Sequence, residues 1–150
     1  MQRRHVLLAA LGAALSGCAT LQRPIAPEVI ASRVRFVEVR LPEIRLAVEL
    51  TLRSRNLLPM AIDALEATLS LAGVEVGRAT LVQPVTLPAY GEARVELAVR
   101  ADASPALSRL AAALGAGQPV DYELAGTLRL ADGTSWPFRR RGAALRERRS

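Results

Sequence analysis

Strict alternation of apolar and polar or small residues is the feature that most limits how this chain can fold. In Ile44–Arg53, every second residue is Ile, Leu or Val. Successive side chains of a β-strand point to opposite faces, so this segment predicts a strand with one buried face and one solvent face. The same period returns in six further segments, at 34–39, 65–71, 74–76, 95–99, 120–130 and 136–138.

One segment between two of these strands has a helical period instead. Ser104 is a suitable N-cap, Pro105 suits the first helical position, and Gly115 suits the exit. Three leucines recur at spacings of three and four, which places them on one helix face: Leu107, Leu110 and Leu114. We therefore expect one short helix inserted between two strands.

Tight turns connect the predicted strands. Ala72-Gly73 and Asp132-Gly133 are typical of hairpins. About seven alternating strands with short connections predict an all-β fold, a two-sheet antiparallel sandwich of the immunoglobulin or fibronectin III kind. A small closed barrel is the alternative.

The first residues have the pattern of a secretory signal. Arg3 and Arg4 precede the uncharged run Val6–Leu15, which is too short to be a transmembrane helix of roughly twenty residues. The run ends in Leu15-Ser16-Gly17-Cys18, which resembles a bacterial lipobox. The resemblance implies cleavage between Gly17 and Cys18, acylation of Cys18 and attachment to a membrane through the acyl chains.

These features divide the chain into four parts: a signal peptide at 1–17, a tether at 18–27, a β-domain at 28–142 and a basic mobile tail at 143–150. Pro24 and Pro27 disfavour helix in the tether. Ala19, not Asp, follows the lipobox cysteine. Lipoprotein sorting patterns then imply the outer membrane, facing the periplasm, if the host is Gram-negative.

The composition excludes several classes of enzyme. His5 is the only histidine and Cys18 the only cysteine, and both lie in or next to the predicted signal. The remaining chain cannot build a Ser-His-Asp triad, a Cys-His pair or a zinc site with soft ligands. Asp121 and Glu123 share a strand face, so a hydrolase that uses only carboxylates, or a site for a hard cation, is one interpretation. The preferred interpretation is that they lie on the solvent-exposed face of a half-buried strand. We expect no catalytic, cofactor or metal site.

Four further features are candidates for binding. Asn56 lies in a turn, where an asparagine usually bonds nearby backbone. Trp136 and Phe138 share a face and either close the core or form a lipid- or partner-binding patch. The basic C-terminal end is expected to be mobile from Arg139 onward. Its arginines are candidates for contact with anionic lipids, and nucleic acid is not expected outside the cytoplasm: Arg139, Arg140, Arg141, Arg146, Arg148 and Arg149.

Several longer segments together resemble a known family. They are LAVELTLRSRNLLPMAIDALEATLSLAGVEVGRAT, LPAYGEARVELAV, VDYELAGTLRL and WPFRRRG. In order and spacing they resemble the type 2 late-embryogenesis-abundant family, which carries the water stress and hypersensitive response (WHy) domain. The resemblance implies no catalytic residues. It implies a non-enzymatic role in tolerance of drying, through reversible contact with labile proteins or other envelope components. An accessory binding lipoprotein of an envelope or transport complex is the alternative.

The anchor prediction depends on one sulfur atom. Radiolabelled fatty acid should be incorporated into the native chain and not into Cys18→Ala, because the thiol of Cys18 is the acceptor. Equal labelling of the two forms, or a purified native chain that keeps Met1 and a free thiol, would contradict the prediction.

Overall fold

The computed structural model describes residues 23–144. Eight strands account for most of them: β1 (Glu28–Arg40), β2 (Glu43–Arg53), β3 (Met60–Leu71), β4 (Val74–Leu81), β5 (Val85–Leu87), β6 (Glu92–Asp102), β7 (Val120–Leu130) and β8 (Ser135–Ala144). A 3₁₀ turn at Ser104–Ala106 leads into helix α1 (Leu107–Gly115). The predicted signal, Cys18 and the arginines at 146, 148 and 149 lie outside the described residues.

The strands join in one sheet, in the order β1-β2-β6-β4-β3-β7-β8, with the short β5 paired to β3. All the pairings are antiparallel, and β2 and β6 pair over their full length from Glu43↔Asp102 to Arg53↔Glu92. The prediction of an all-β antiparallel fold with one short helix is confirmed. Its two-sheet part is not, because a continuous ladder of hydrogen bonds connects the strands into one curled sheet.

The sheet curls so that its apolar face is buried largely against itself. Every second residue of β2 points inward, and Val48, Leu50 and Leu52 have no exposed side-chain surface. Inward leucines and valines from the other strands meet them, including Leu69, Leu97, Leu124 and Val95. Helix α1 adds Leu110, which is fully buried. Trp136 and Phe138 are half-buried against this core, as expected of residues that close its edge.

Side chains from β8 and from its neighbour β7 reach across to the opposite edge strand, β1. The hydroxyls of Ser32 and Tyr122 lie 2.6 Å apart. Arg140 donates from Nε to Ser32 Oγ at 3.1 Å and from Nη1 to the carbonyl oxygen of Val29 at 3.5 Å. We call Ser32, Tyr122 and Arg140 the seam. Within residues 23–144 no backbone ladder joins β1 to β8, so the sheet remains open and side chains alone hold its edges together.

Two irregularities explain why the sequence pattern of β1 is weaker than that of β2. The register against β2 shifts between Val29 and Ala31 and again between Phe36 and Glu38. Each bulge adds one residue to β1 without a partner in β2, which changes the spacing of the inward positions. The inward residues Phe36 and Val39 are therefore three residues apart instead of two.

The helix begins differently from the prediction. Ser104 makes no side-chain cap; instead Asp102 Oδ1 accepts hydrogen bonds from Ser104 Oγ at 2.6 Å and Ser104 N at 2.9 Å. These bonds, chiefly the one from the hydroxyl, hold the pKa of Asp102 below its usual value. At the exit, Gly117 rather than Gly115 has the left-handed conformation, with φ +66°.

The two predicted hairpins are confirmed. Ala72 and Gly73 both have positive φ, and together they join β3 to β4. Gly133 has φ +91° in the turn between β7 and β8. Positive φ at both central positions, as at Ala72 and Gly73, is what a two-residue type I′ hairpin turn requires.

Gly126 is not required for a turn, because its φ does not lie in the left-handed region. A Cβ at this position would overlap the carbonyl oxygen of Glu66 and lie 2.5 Å from Ala67 Cα on the neighbouring strand β3. Glycine therefore permits a close approach of two backbones that no side chain would allow.

Gly126→Ala should destabilise the fold by about 1–3 kcal/mol, because the backbones of β3 and β7 must separate to admit the methyl group. Gly115→Ala is the control: it has open space around its Cβ position, so its effect should be within about 1 kcal/mol and stabilising in sign. Urea unfolding measures both. Equal stabilities would contradict the close-approach role of Gly126.

Candidate interaction surface

Large apolar side chains are exposed at one end of the sheet, where β1 and β6 begin and β2 ends. Ile25 is 56%, Leu57 62%, Leu58 74% and Tyr90 65% exposed. The leucines lie in the loop between β2 and β3, Tyr90 precedes β6, and Ile25 precedes β1. We call these four residues the apolar tip. A group of exposed apolar side chains is typical of an interaction surface, whereas single exposed apolar residues are common on any protein.

Asn56 connects the three segments of the tip. Its Oδ1 accepts a hydrogen bond from Ile25 N at 2.7 Å, and its Nδ2 donates to Ile25 O at 2.8 Å. Its own carbonyl oxygen accepts from Tyr90 N at 3.1 Å. The side-chain amide thus satisfies both backbone groups of Ile25, as a strand partner would. The expectation that this asparagine bonds nearby backbone in its own turn is wrong, because its side-chain amide bonds the backbone of a residue 31 positions away in the chain.

Ser54 holds this asparagine in place. It is the one buried polar residue of the described chain, and its Oγ accepts from Asn56 N at 3.0 Å. Its own N–H donates to Gly91 O at 2.8 Å, which joins the β2–β3 loop to the turn before β6. The loop that carries Leu57 and Leu58 is therefore braced on both sides.

A cleft of about 370 Å³ opens beside the tip. Its lining is mainly apolar: Pro24, Asn56, Leu57, Leu58, Pro59, Met60, Ala61, Leu130, Ala131 and Asp132. The only ionisable group in this lining is Asp132, whose Oδ1 accepts from Thr134 N at 2.8 Å. That bond, with a smaller contribution from the Thr134 hydroxyl, holds the pKa of Asp132 below its usual value. The cleft therefore combines apolar walls with a carboxylate at the β7–β8 turn.

Paired charges surround the tip. Arg53 lies 2.8 Å from Glu92, and Arg55 lies 3.4 Å from Glu28. The side-chain hydrogen bond to Glu92 raises the pKa of Arg53 above its usual value. Exposed pairs of this kind contribute little to stability. Their effect at the tip is to leave its rim close to neutral.

The structure changes the interpretation of the C-terminal arginines. The three arginines at 139–141 lie inside β8, where they pair with residues 125–123 of β7. This part of the chain is therefore a strand and not a mobile end. Arg140 belongs to the seam. Arg139 and Arg141 point outward and form ion pairs with Glu123, which Arg139 reaches at 3.8 Å.

The predicted carboxylate pair, Asp121 and Glu123, lies on the outer surface of β7. Asp121 is exposed, and Glu123 forms ion pairs with Arg139 and Arg141. The two acids do not face each other across a cleft. Among residues 23–144, no group of three His, Cys, Asp or Glu residues is arranged to hold a metal ion.

The end of β8 lies far from the tip. Ala144 pairs with Val120 at the opposite end of β7 from Leu130 and the cleft. Eleven residues of β7 separate those ends, about 33 Å at the usual rise of a strand. Ala144 and the cleft therefore lie at opposite ends of β7.

A family model decides the relationship of this chain to known proteins. Residues 49–142 match the LEA_2 model, described as late embryogenesis abundant protein. The chain belongs to the LEA_2 family. The matched range covers every strand from within β2 to within β8, including the loop of Leu57 and Leu58.

Two solved structures from other organisms are similar in fold to this chain. A protein of Arabidopsis thaliana, solved in solution, aligns with a TM-score of 0.61 at 19% identity over 83% of this chain and 86% of that one. A crystallised protein from Archaeoglobus fulgidus aligns with a TM-score of 0.51 at 14% identity over 81% and 98%. At these identities the similarity concerns the fold alone. The comparison with curated proteins gave no match.

Sequence reasoning missed the tip as a surface. The signal available was Leu57-Leu58 next to Pro59, two large apolar residues in a turn between alternating strands. Ile25 and Tyr90 carry no such signal, because only the hydrogen bonds of Asn56 bring them beside the leucines. None of the helices within 23–144 has the length and hydropathy of a membrane span.

Asn56→Ala should release the segment that contains Ile25, because both backbone groups of that residue lose their partners. Asn56→Asp keeps the acceptor for Ile25 N and serves as the matched control. Hydrogen exchange at the Ile25 amide should be at least about tenfold faster in Asn56→Ala, since about 1.4 kcal/mol of lost protection corresponds to that factor. Unchanged exchange in Asn56→Ala would show that Asn56 does not hold the segment.

Proposed function

We propose that this LEA_2 domain is the folded part of a membrane-anchored lipoprotein of the bacterial envelope. It protects envelope components during drying or related stress by reversible, non-catalytic contact, and the apolar tip is the contact surface. The observation that carries the proposal is the family match over residues 49–142. The lipobox-like ending at Cys18 supports the anchor.

Chain length supports a position of the tip close to the membrane. Cys18 precedes Ile25 by seven residues, which span at most about 25 Å when fully extended. Ile25 is bonded to Asn56 within the tip itself. An acylated Cys18 therefore limits how far the tip stands from the lipid surface.

The size of the tip suits weak and reversible contact. Fully burying a Leu, Ile or aromatic side chain contributes about 1.5–3 kcal/mol, and association itself costs several kcal/mol. Four partly exposed side chains therefore produce contacts that form and break easily. That behaviour is what protection of many partners requires, whereas a permanent complex needs a larger buried area.

The cleft beside the tip favours a second candidate function, that of an accessory binding lipoprotein. Its apolar lining and its Asp132 carboxylate would accept one defined segment of a partner protein. Crosslinking in intact envelopes distinguishes the two roles: one stoichiometric partner supports the accessory role, and many weak partners support protection.

Protection can be measured with a labile enzyme that aggregates when it is dried. A soluble Cys18→Ser form should reduce its aggregation more than an equal mass of albumin does. Replacing Leu57 and Leu58 by Ser should remove at least about half of this effect, because these two adjacent leucines are 62% and 74% exposed and make up half of the tip.

Val37→Ser is the matched control, since Val37 is 66% exposed and lies on β1 away from the tip. It should leave protection unchanged. Equal loss in Val37→Ser and in the double leucine variant would exclude the tip as the contact surface. Protection no better than that of albumin would refute the proposed function.

A further inference from the structure

Strand pairing aligns three arginines that are far apart in the sequence. Arg100 of β6 lies directly opposite Arg45 of β2 on one side and Arg78 of β4 on the other. All three side chains are exposed on the outer face. We call them the arginine row. Their backbone positions span about 10 Å, two strand spacings.

The arginine row is unfavourable for the isolated domain. Like charges at directly opposed positions of an antiparallel pair repel each other. Arg45 is partly compensated by Glu38 at 3.6 Å. Among residues 23–144, neither Arg78 nor Arg100 has a carboxylate within ion-pair distance. An anion bound to the row would remove the repulsion.

Gly77 brings the strands of the row together. A Cβ at this position would overlap the carbonyl oxygen of Arg100 and lie 2.9 Å from Ala101 Cα. Glycine thus allows β4 to approach β6 closely beside Arg78. The row is therefore part of a locally tight region of the sheet.

A second cleft, of about 290 Å³, begins where the row ends. Arg78 forms one wall, and three hydroxyls contribute to the lining, those of Thr68, Thr80 and Thr127. Glu66 lies between two of these threonines, directly opposite Thr80 on one neighbouring strand and Thr127 on the other. The cleft therefore offers hydroxyl donors and acceptors and one carboxylate acceptor next to an excess of positive charge.

We propose that the arginine row and this cleft bind a phosphorylated sugar. Guanidinium groups bind phosphate oxygens in a bidentate manner, so the phosphates occupy the row. The sugar ring occupies the cleft, where threonine hydroxyls and Glu66 bond its hydroxyl groups. The ligand is either a free sugar phosphate or the phosphorylated sugar headgroup of a lipid. This binding goes beyond the protective contact of the tip and does not depend on the anchor.

Binding of glucose 1,6-bisphosphate to the full-length Cys18→Ser chain tests the site by calorimetry. Arg78→Gln and Arg100→Gln should each weaken binding about tenfold. Arg94→Gln is the matched control, an exposed arginine on the same strand and face as Arg100 but six residues away and beside Glu49 at 4.0 Å. It should change affinity less than twofold. Thr127→Val should weaken binding of the sugar bisphosphate but not of inorganic tripolyphosphate, which has no sugar to occupy the cleft.

Vesicles distinguish the two sources of the ligand. Binding to phosphatidylcholine vesicles that contain phosphatidylinositol 4-phosphate, with no binding of free glucose 1,6-bisphosphate, would identify a lipid headgroup. The reverse would identify a free sugar phosphate. Binding to neither probe, or an equal loss in Arg94→Gln and Arg100→Gln, would overturn the proposal.

A measurement of thermal stability, without any ligand, tests whether the arginines of the row repel each other. At low salt, Arg100→Gln should raise Tm by about 1–3 °C, because it removes the repulsion from both neighbours. Arg94→Gln should give no such rise. A lower Tm for Arg100→Gln would show that the row is not under repulsion and would count against an anion site.

Discussion

A single sheet can bury an apolar face only if something covers it, and here the sheet covers itself. Residues 23–144 provide one short helix, and the sequence has few aromatic side chains, so leucine and valine must fill the interior by facing one another across the curl. The edges β1 and β8 must then come close. The seam makes this possible, with Tyr122 extending over Gly142 to reach Ser32 and Arg140 bonding β1 from the opposite edge.

The period of two in the sequence predicts most of the strands correctly, because burial of one face imposes that period on each strand separately. It does not predict how many sheets there are. Alternation identifies the inward side chains, whereas the covering of the face depends on contacts such as Ser32 with Tyr122, which are 90 residues apart. The three-residue strand β5 was missed because it is too short to show a period. Part of β1 is hard to predict for another reason, because its two bulges shift the inward positions and interrupt the period of two.

Interaction surfaces are harder to predict than strands, because strand pairing brings together residues that lie far apart in the sequence. Arginines that stand singly along the sequence become neighbours when β2, β6 and β4 align. The conspicuous run Arg139–Arg141, by contrast, is divided by the strand period: Arg140 turns to the seam, and the arginines on either side turn to Glu123. The turn pattern around Asn56 predicts a bond to nearby backbone, whereas the side chain bonds Ile25, and nothing in the local sequence relates these two residues.

The Asn56–Ile25 contact also determines how the domain would carry a mechanical load. Tension applied to the segment before Arg23 reaches the amide of Asn56 first and then the beginning of β1. A pull away from that end of the sheet runs along the axis of β1, so its ladder with β2, from Glu28↔Arg53 to Arg40↔Glu43, is loaded in shear. Hydrogen bonds sheared together resist more force than bonds that are unzipped one after another. The β1–β2 ladder therefore resists such a pull along its whole length at once.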